Sequence, residues 1–118
     1  MSGKMPLYIS LLLLILCIGC KRIELPVGTP TCVKEIIRDI LKEEVRDPPS
    51  ELWKWEHYGE TSFYVLPYCC DEYSALYTED CFLICAPDGG LYGIGDGACP
   101  YNYNQMAIVR TLIWADKR

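Results

Sequence analysis

The apolar positions of this chain change their period several times, and each change marks a different element. Leu7 to Ile18 is an apolar run of twelve, interrupted only by Ser10, with Lys4 before it and the small Gly19 after it. That is the layout of a secretory signal, and it falls short of the ~20 apolar residues that span a bilayer. Residues 21–30, KRIELPVGTP, then show neither a helical nor an alternating period and contain two prolines and a glycine, which suits a tether. From there Val33, Ile36, Ile37, Ile40, Leu41 and Val45 fall on one stripe of a 3.6-residue period, predicting a helix over 31–45. Thr29-Pro30 supplies its N-cap and first position, Cys32 joins the buried stripe, and Pro48-Pro49 stops it.

The next stretch alternates instead. Leu52 to Leu66 predicts a β-hairpin about Gly59-Glu60, with glycine in the first central position of a type II′ turn. This register pairs Trp55 with Tyr64, Trp53 with Leu66 and His57 with Ser62, all on one face. Phe63 and Val65 point to the other face, so the second strand is apolar on both sides and belongs in the middle of its sheet. Further strands are predicted at Phe82–Cys85 and Val109–Trp114, with Trp114 in the core and Pro87-Asp88-Gly89 as a turn. The fold class is therefore α+β: an N-terminal helix packed on a small antiparallel sheet, cysteine-stapled, with a glycine-rich loop at one end. The domain plan reads 1–19 as a lipoprotein signal peptide, 20–30 as the tether and 31–118 as a single small domain.

Composition narrows the function classes. The chain of 118 residues is 51% apolar and 23% charged, as globular chains are. Without the leader it carries 10 Lys and Arg against 16 Asp and Glu, with no basic stripe, so nucleic acid is not an expected partner. The eight tyrosines and three tryptophans after the leader are expected mostly to fill a core short of Leu and Phe, while any left exposed would stack on a glycan or anchor a protein partner.

Eight cysteines divide into Cys17 in the leader, Cys20 at its end, and Cys32, Cys69, Cys70, Cys81, Cys85 and Cys99 in the domain. Six in an exported domain predict up to three disulfides, with fifteen connectivities open. Adjacent Cys69 and Cys70 would point to opposite faces of an extended chain and so take different partners. Residues 89–97 hold five glycines, and closing that segment covalently lowers its ordering cost. Cys85 and Cys99 are expected to bond to each other or separately to Cys69 and Cys70. Zinc spacing is absent: there is no CxxC, and His57 is the single histidine. A catalytic Cys–His pair would need that same His57, which reads instead as the rim of the aromatic face.

Several segments carry a family resemblance. They are WKWEHYGETSFYVLP from Trp53, Cys69-Cys70-Asp71, Ser74, Leu76-Tyr77, ICAPDGG at 84–90 and GIGDGACP at 93–100. Together with the Cys32 helix and the terminal LIWAD, they resemble small, uncharacterised lipoproteins of Bacteroidota-type bacteria that share a domain of unknown function. Cys17-Ile18-Gly19-Cys20 likewise resembles a bacterial lipobox, departing from it at Cys17 where Leu is usual. The resemblance implies lipidation at Cys20, membrane attachment through that lipid and a place in the cell envelope; Lys21-Arg22 after the anchor cysteine are not an acidic sorting tag, so the expected place is the outer membrane, facing the periplasm. It also implies a family core of five cysteines, with Cys81 as the extra one, pairing with whichever is otherwise odd. It brings no activity.

The remaining candidate chemistry is sparse. Asp71, Asp88 and Asp96 flank turns and supply oxygens of the kind Ca²⁺ takes, though without EF-hand spacing; Asp before Gly is also an ordinary turn signal. Nothing calls for a cofactor. The expected role is a binding or structural module for an envelope protein or glycan. The alternatives are an inhibitor presenting an exposed, braced loop 86–98, or an Asp-dependent or metal-assisted hydrolase. A cleft gathering Asp71, Asp88 or Asp96 with His57 would mark the hydrolase.

Overall fold

The structure, a computed structural model, describes residues 22–118. The predicted leader and Cys20 lie outside the described residues. Within them, no helix is long and apolar enough to cross a membrane. One helix, α1 (Thr31–Leu41), precedes five strands: β1 (Glu51–His57), β2 (Glu60–Val65), β3 (Ala75–Thr78), β4 (Leu83–Cys85) and β5 (Val109–Ala115). They form one antiparallel sheet in the order β4-β3-β2-β1-β5. The fold is a small α+β one.

β2 is the middle strand, as its two-sided apolar pattern requires, and its alternation sorts the core into two clusters. Phe63 and Val65 join Leu52, Ile113 and the helix residues Val33, Ile37 and Ile40. Tyr64 points the other way, into a cluster with Trp55, Leu76, Cys85 and Tyr103. Cys99, Met106 and Ile108 pack against that second cluster, so residues 99–108 roof this face. Ile23 and Leu25, in the segment read as a tether, pack against the first cluster, as does Trp114.

The helix differs from its sequence pattern at both ends. Pro30 occupies the N-cap, and the Thr29 hydroxyl donates to the Pro26 carbonyl (2.7 Å) instead of capping. At the other end α1 stops at Leu41, four residues early, and Val45 is exposed. The Arg118 guanidinium explains the early stop, since it donates to the carbonyls of Leu41 (3.2 Å) and Glu43 (3.0 Å). Glu43 and Glu44 would also sit unfavourably at the negative end of a longer helix.

The hairpin forms one step away from the predicted turn. His57 pairs with Glu60, so Tyr58 and Gly59 are the central residues, with φ of 48° and 77°. Positive φ at both is the type I′ geometry, which matches the strand twist as II′ does. The register moves by two residues as a result: Trp53 pairs with Tyr64, Trp55 with Ser62 and Leu52 with Val65. A shift of two preserves the faces, so Trp53, Trp55, His57, Ser62 and Tyr64 still share one side. The Trp55 and Tyr64 rings, expected as a cross-strand pair, stack on the diagonal with centroids 4.6 Å apart.

β3 has no counterpart in the sequence reading. It pairs with β2 through Ser62–Thr78 to Val65–Ala75 and carries Leu76, which is fully buried.

Candidate functional site

The loop between Cys85 and Cys99 is where the fold invests most in holding irregular backbone. Cys85 ends β4 and is buried, and it is bonded to Cys99 across 14 residues. Inside that ring three sets of hydrogen bonds fix the chain. The Asp88 carboxylate accepts the Tyr64 hydroxyl on both oxygens (2.9 Å). The Asp88 carbonyl accepts the Ser74 hydroxyl (3.0 Å) and the Ser74 amide (3.2 Å), which ties the Pro87-Asp88-Gly89 turn to the start of β3. The Asp96 carboxylate accepts the amides of Ala86 (3.0 Å) and Ala98 (2.9 Å), and its own amide donates to the Ala86 carbonyl (3.1 Å). Glycine is required at position 95, where φ is +79° and a Cβ would overlap the Ala86 carbonyl oxygen.

Burial beside Asp88 acts on Tyr64. Desolvation first, then the negative carboxylate and the hydrogen bond to it, push the phenol well above its ordinary value near 10. Tyr64 stays a neutral donor, and Asp88 a satisfied acceptor.

What this framework presents is apolar. Leu91, Tyr92 and Ile94 are 69%, 81% and 76% exposed, on backbone fixed at both ends. The loop carries Asp88 and Asp96 and no Lys or Arg. Exposure of this kind separates a presented loop from a staple that merely closes the fold.

The other predicted residues are dispersed. Cys32 is bonded to Cys81, which ties α1 to the β3–β4 turn and gives the extra cysteine its partner. Cys69 and Cys70, expected to take separate partners, are both free thiols. The reason is local: residues 69–71 form a turn, with Cys70 at φ 58°, so the pair does not alternate across an extended strand. A hydrogen bond with Cys70 holds the Cys69 thiol above its usual range, which lowers its thiolate fraction. Asp71 is exposed, while Asp88 and Asp96 are committed to the bonds above. Among the described residues, no three His, Cys, Asp or Glu side chains are grouped to hold a metal ion.

His57 is buried, not a rim residue, with Tyr103 and Tyr101 edge-on at 5.4 and 5.8 Å between ring centroids. It lines a cavity to which none of Asp71, Asp88 and Asp96 contributes. The aromatic residues are divided: Trp55, Tyr64 and Tyr103 are buried, while Tyr58, Tyr73, Tyr92 and Tyr101 are exposed. Trp53, Tyr77 and Trp114, partly buried, pack against the two clusters, so six of the eleven tyrosines and tryptophans after the leader serve the core, as expected.

Sequence reasoning located the loop but not the Tyr64–Asp88 and Ser74–Asp88 bonds, which join residues 24 and 14 apart. Only the polar Ser74 and Asp88 amid apolar neighbours hinted at them. No curated protein and no solved structure matches the chain. Residues 38–116, two thirds of its length, match the family described as a domain of unknown function (DUF6970), and the chain belongs to that family.

Proposed function

We propose that this protein is a lipid-anchored envelope module that binds a protein partner through the loop 86–98. The observation that carries the reading is the combination of large exposed apolar side chains, Leu91, Tyr92 and Ile94, with a backbone that has little freedom left to lose. Interfaces draw their energy from a few such anchors, and preorganised loops bind at lower entropic cost. A membrane surface fits the loop less well, because Asp88 and Asp96 with no neighbouring cation oppose an anionic headgroup layer. The partner face this loop suits is an apolar groove without acidic rim residues. An inhibitor acting through the same loop is the version in which that groove is the cleft of a hydrolase. Attachment through a lipid on Cys20 rests on the Leu7–Ile18 run, Gly19 and the lipobox resemblance, and the outer-membrane, periplasm-facing location on the non-acidic Lys21-Arg22 that follows.

The test is site-specific crosslinking in intact cells, with a photoreactive phenylalanine replacing Tyr92 in the full chain. A discrete adduct is expected, lost when Leu91→Asp and Ile94→Asp are added and absent when the probe replaces the exposed Val27. No discrete adduct, or one indifferent to those substitutions, overturns the reading. Anchoring has its own readout, since Cys20→Ser should move the protein out of the membrane fraction and abolish lipid labelling.

A further inference from the structure

Cys69 and Cys70 are the cysteines among the described residues that no bridge engages, and Cys70 is exposed. Neighbours in an extended strand would point their sulfurs apart. Here they stand in a turn: the Glu72 amide donates to the Cys69 carbonyl (3.0 Å), and Cys70 takes φ 58°. The bend brings both side chains to one side, where the thiols share a hydrogen bond. Two sulfurs in such contact are placed to bond to each other.

A bridge between them would differ in kind from the other two. Cys32–Cys81 and Cys85–Cys99 have Cα separations of 6.1 and 5.1 Å, within the ordinary span for disulfides. The peptide bond holds adjacent Cα atoms about 3.8 Å apart, below that span. A bond closing so small a ring is strained, and strained, exposed disulfides are the ones that open readily. The pair therefore rests as thiols, closes when a disulfide donor is supplied and reopens with a reductant. The turn also runs directly into the base of loop 86–98. The Glu72 carbonyl accepts the Gly90 amide (2.9 Å), and Tyr73 pairs with Gly89. Ring closure at 69–70 resets the torsions that aim Glu72, so the Gly90 amide feels it.

We propose that Cys69 and Cys70 are a reversible dithiol–disulfide couple, oxidised by exchange with a disulfide donor, whose state passes through Glu72 to the base of loop 86–98. The exposed Cys70, as thiolate, attacks the donor; one donor thiolate leaves and a mixed disulfide forms. Cys69 then attacks the Cys70 sulfur, the second donor thiolate leaves, and the Cys69–Cys70 bond closes. Both thiol protons end on the two donor thiols, so the pair loses two electrons and the donor gains them. The hydrogen bond with Cys70 is the first cause that keeps the Cys69 proton in place, and it ends once Cys70 enters the mixed disulfide, freeing Cys69 for the second step. The couple depends on these residues alone and not on what the loop binds, so either reading stands or falls without the other.

The full chain carrying Cys17→Ser and Cys20→Ser, held in detergent, tests this with oxidised glutathione as the donor. Alkylation and mass spectrometry should show both thiols lost together, the protein lighter by two hydrogens, and no glutathione retained. Adding Cys69→Ser should stop the reaction at a glutathione adduct on Cys70. Limiting dithiothreitol should return Cys69 and Cys70 to thiols before Cys32–Cys81 or Cys85–Cys99 opens, and the Gly90 amide NMR signal should move on closure and return on reopening. Thiols indifferent to the donor, glutathione retained on the parent protein, a disulfide-linked dimer, a Cys69–Cys70 bond that outlasts either other bridge, or a Gly90 signal unmoved by closure overturns the proposal.

Discussion

Tyr64 connects the core to the loop through one hydroxyl. Its ring stacks on Trp55 inside the second cluster, and its oxygen donates to Asp88 at the base of the presented segment. Tyr64→Phe keeps the ring and removes the bond, so it should cost about 1–2 kcal/mol at neutral pH and loosen the loop more than the sheet. The pH dependence has a definite sign. Because the folded phenol titrates above the unfolded value near 10, its contribution is whole below pH 10 and is lost as pH rises beyond it. Burial pushes Tyr103 in the same direction, so Tyr64→Phe should reduce the alkaline loss of stability without abolishing it. Denaturant titrations on both sides of pH 10 measure this, and equal slopes in the two proteins would contradict it. Gly95 offers a second residue-scale check. Gly59 has open space where a Cβ would go, so Gly59→Ala meets only the backbone penalty of roughly 1 kcal/mol, whereas Gly95→Ala must also displace the Ala86 carbonyl. Gly95→Ala should melt at the lower temperature of the two.

The elements show what was legible along the chain and what was not. Periodicity placed α1 and the hairpin because a buried stripe or face leaves its spacing in any sequence. It could not fix the hairpin register, since Tyr58-Gly59 and Gly59-Glu60 are both acceptable two-residue turns and a shift of two leaves every side chain on its face. Nor could it place β3, four residues long, whose buried Leu76 is set among turn-forming neighbours. The end of α1 was illegible for a different reason: Arg118, 75 and 77 positions away, accommodates its last carbonyls. Asp116, buried beside it and bonded to the same guanidinium at 2.7 Å, holds that arginine in place. The hydrogen bond from Arg118 depresses the Asp116 carboxyl below its ordinary value, so its contribution is present above about pH 4 and lost as pH falls. Arg118→Ala should fray Leu41 to Glu43, seen as faster amide exchange confined to that end, and should flatten the acid limb of the stability curve.

At the scale of the molecule, two disulfides do different work, and separating them is the sharpest test of the loop reading. Cys32–Cys81 spans 49 residues and ties α1 to the sheet, while Cys85–Cys99 spans 14 and closes only the loop. Loop-closure entropy gives the longer bridge about 4 kcal/mol and the shorter about 3 kcal/mol. At roughly 4–8 °C per kcal/mol, replacing either pair by alanine should lower the melting temperature by more than ~10 °C, with Cys32→Ala, Cys81→Ala the larger loss. Cys69 and Cys70 remain as thiols in all of these proteins, so native alkylation should modify those two alone in the parent domain. Stability and presentation then part company. Below both melting temperatures, the Cys32→Ala, Cys81→Ala protein keeps Asp96, Asp88 and the shorter bridge in place, and its Tyr92 crosslink should persist. The Cys85→Ala, Cys99→Ala protein keeps the helix tied to the sheet but frees one end of the loop, and its crosslink should fade although the fold survives. Equal loss of the adduct in both proteins would mean that the short bridge serves the fold as a whole and that rigidity of the loop has no part in recognition.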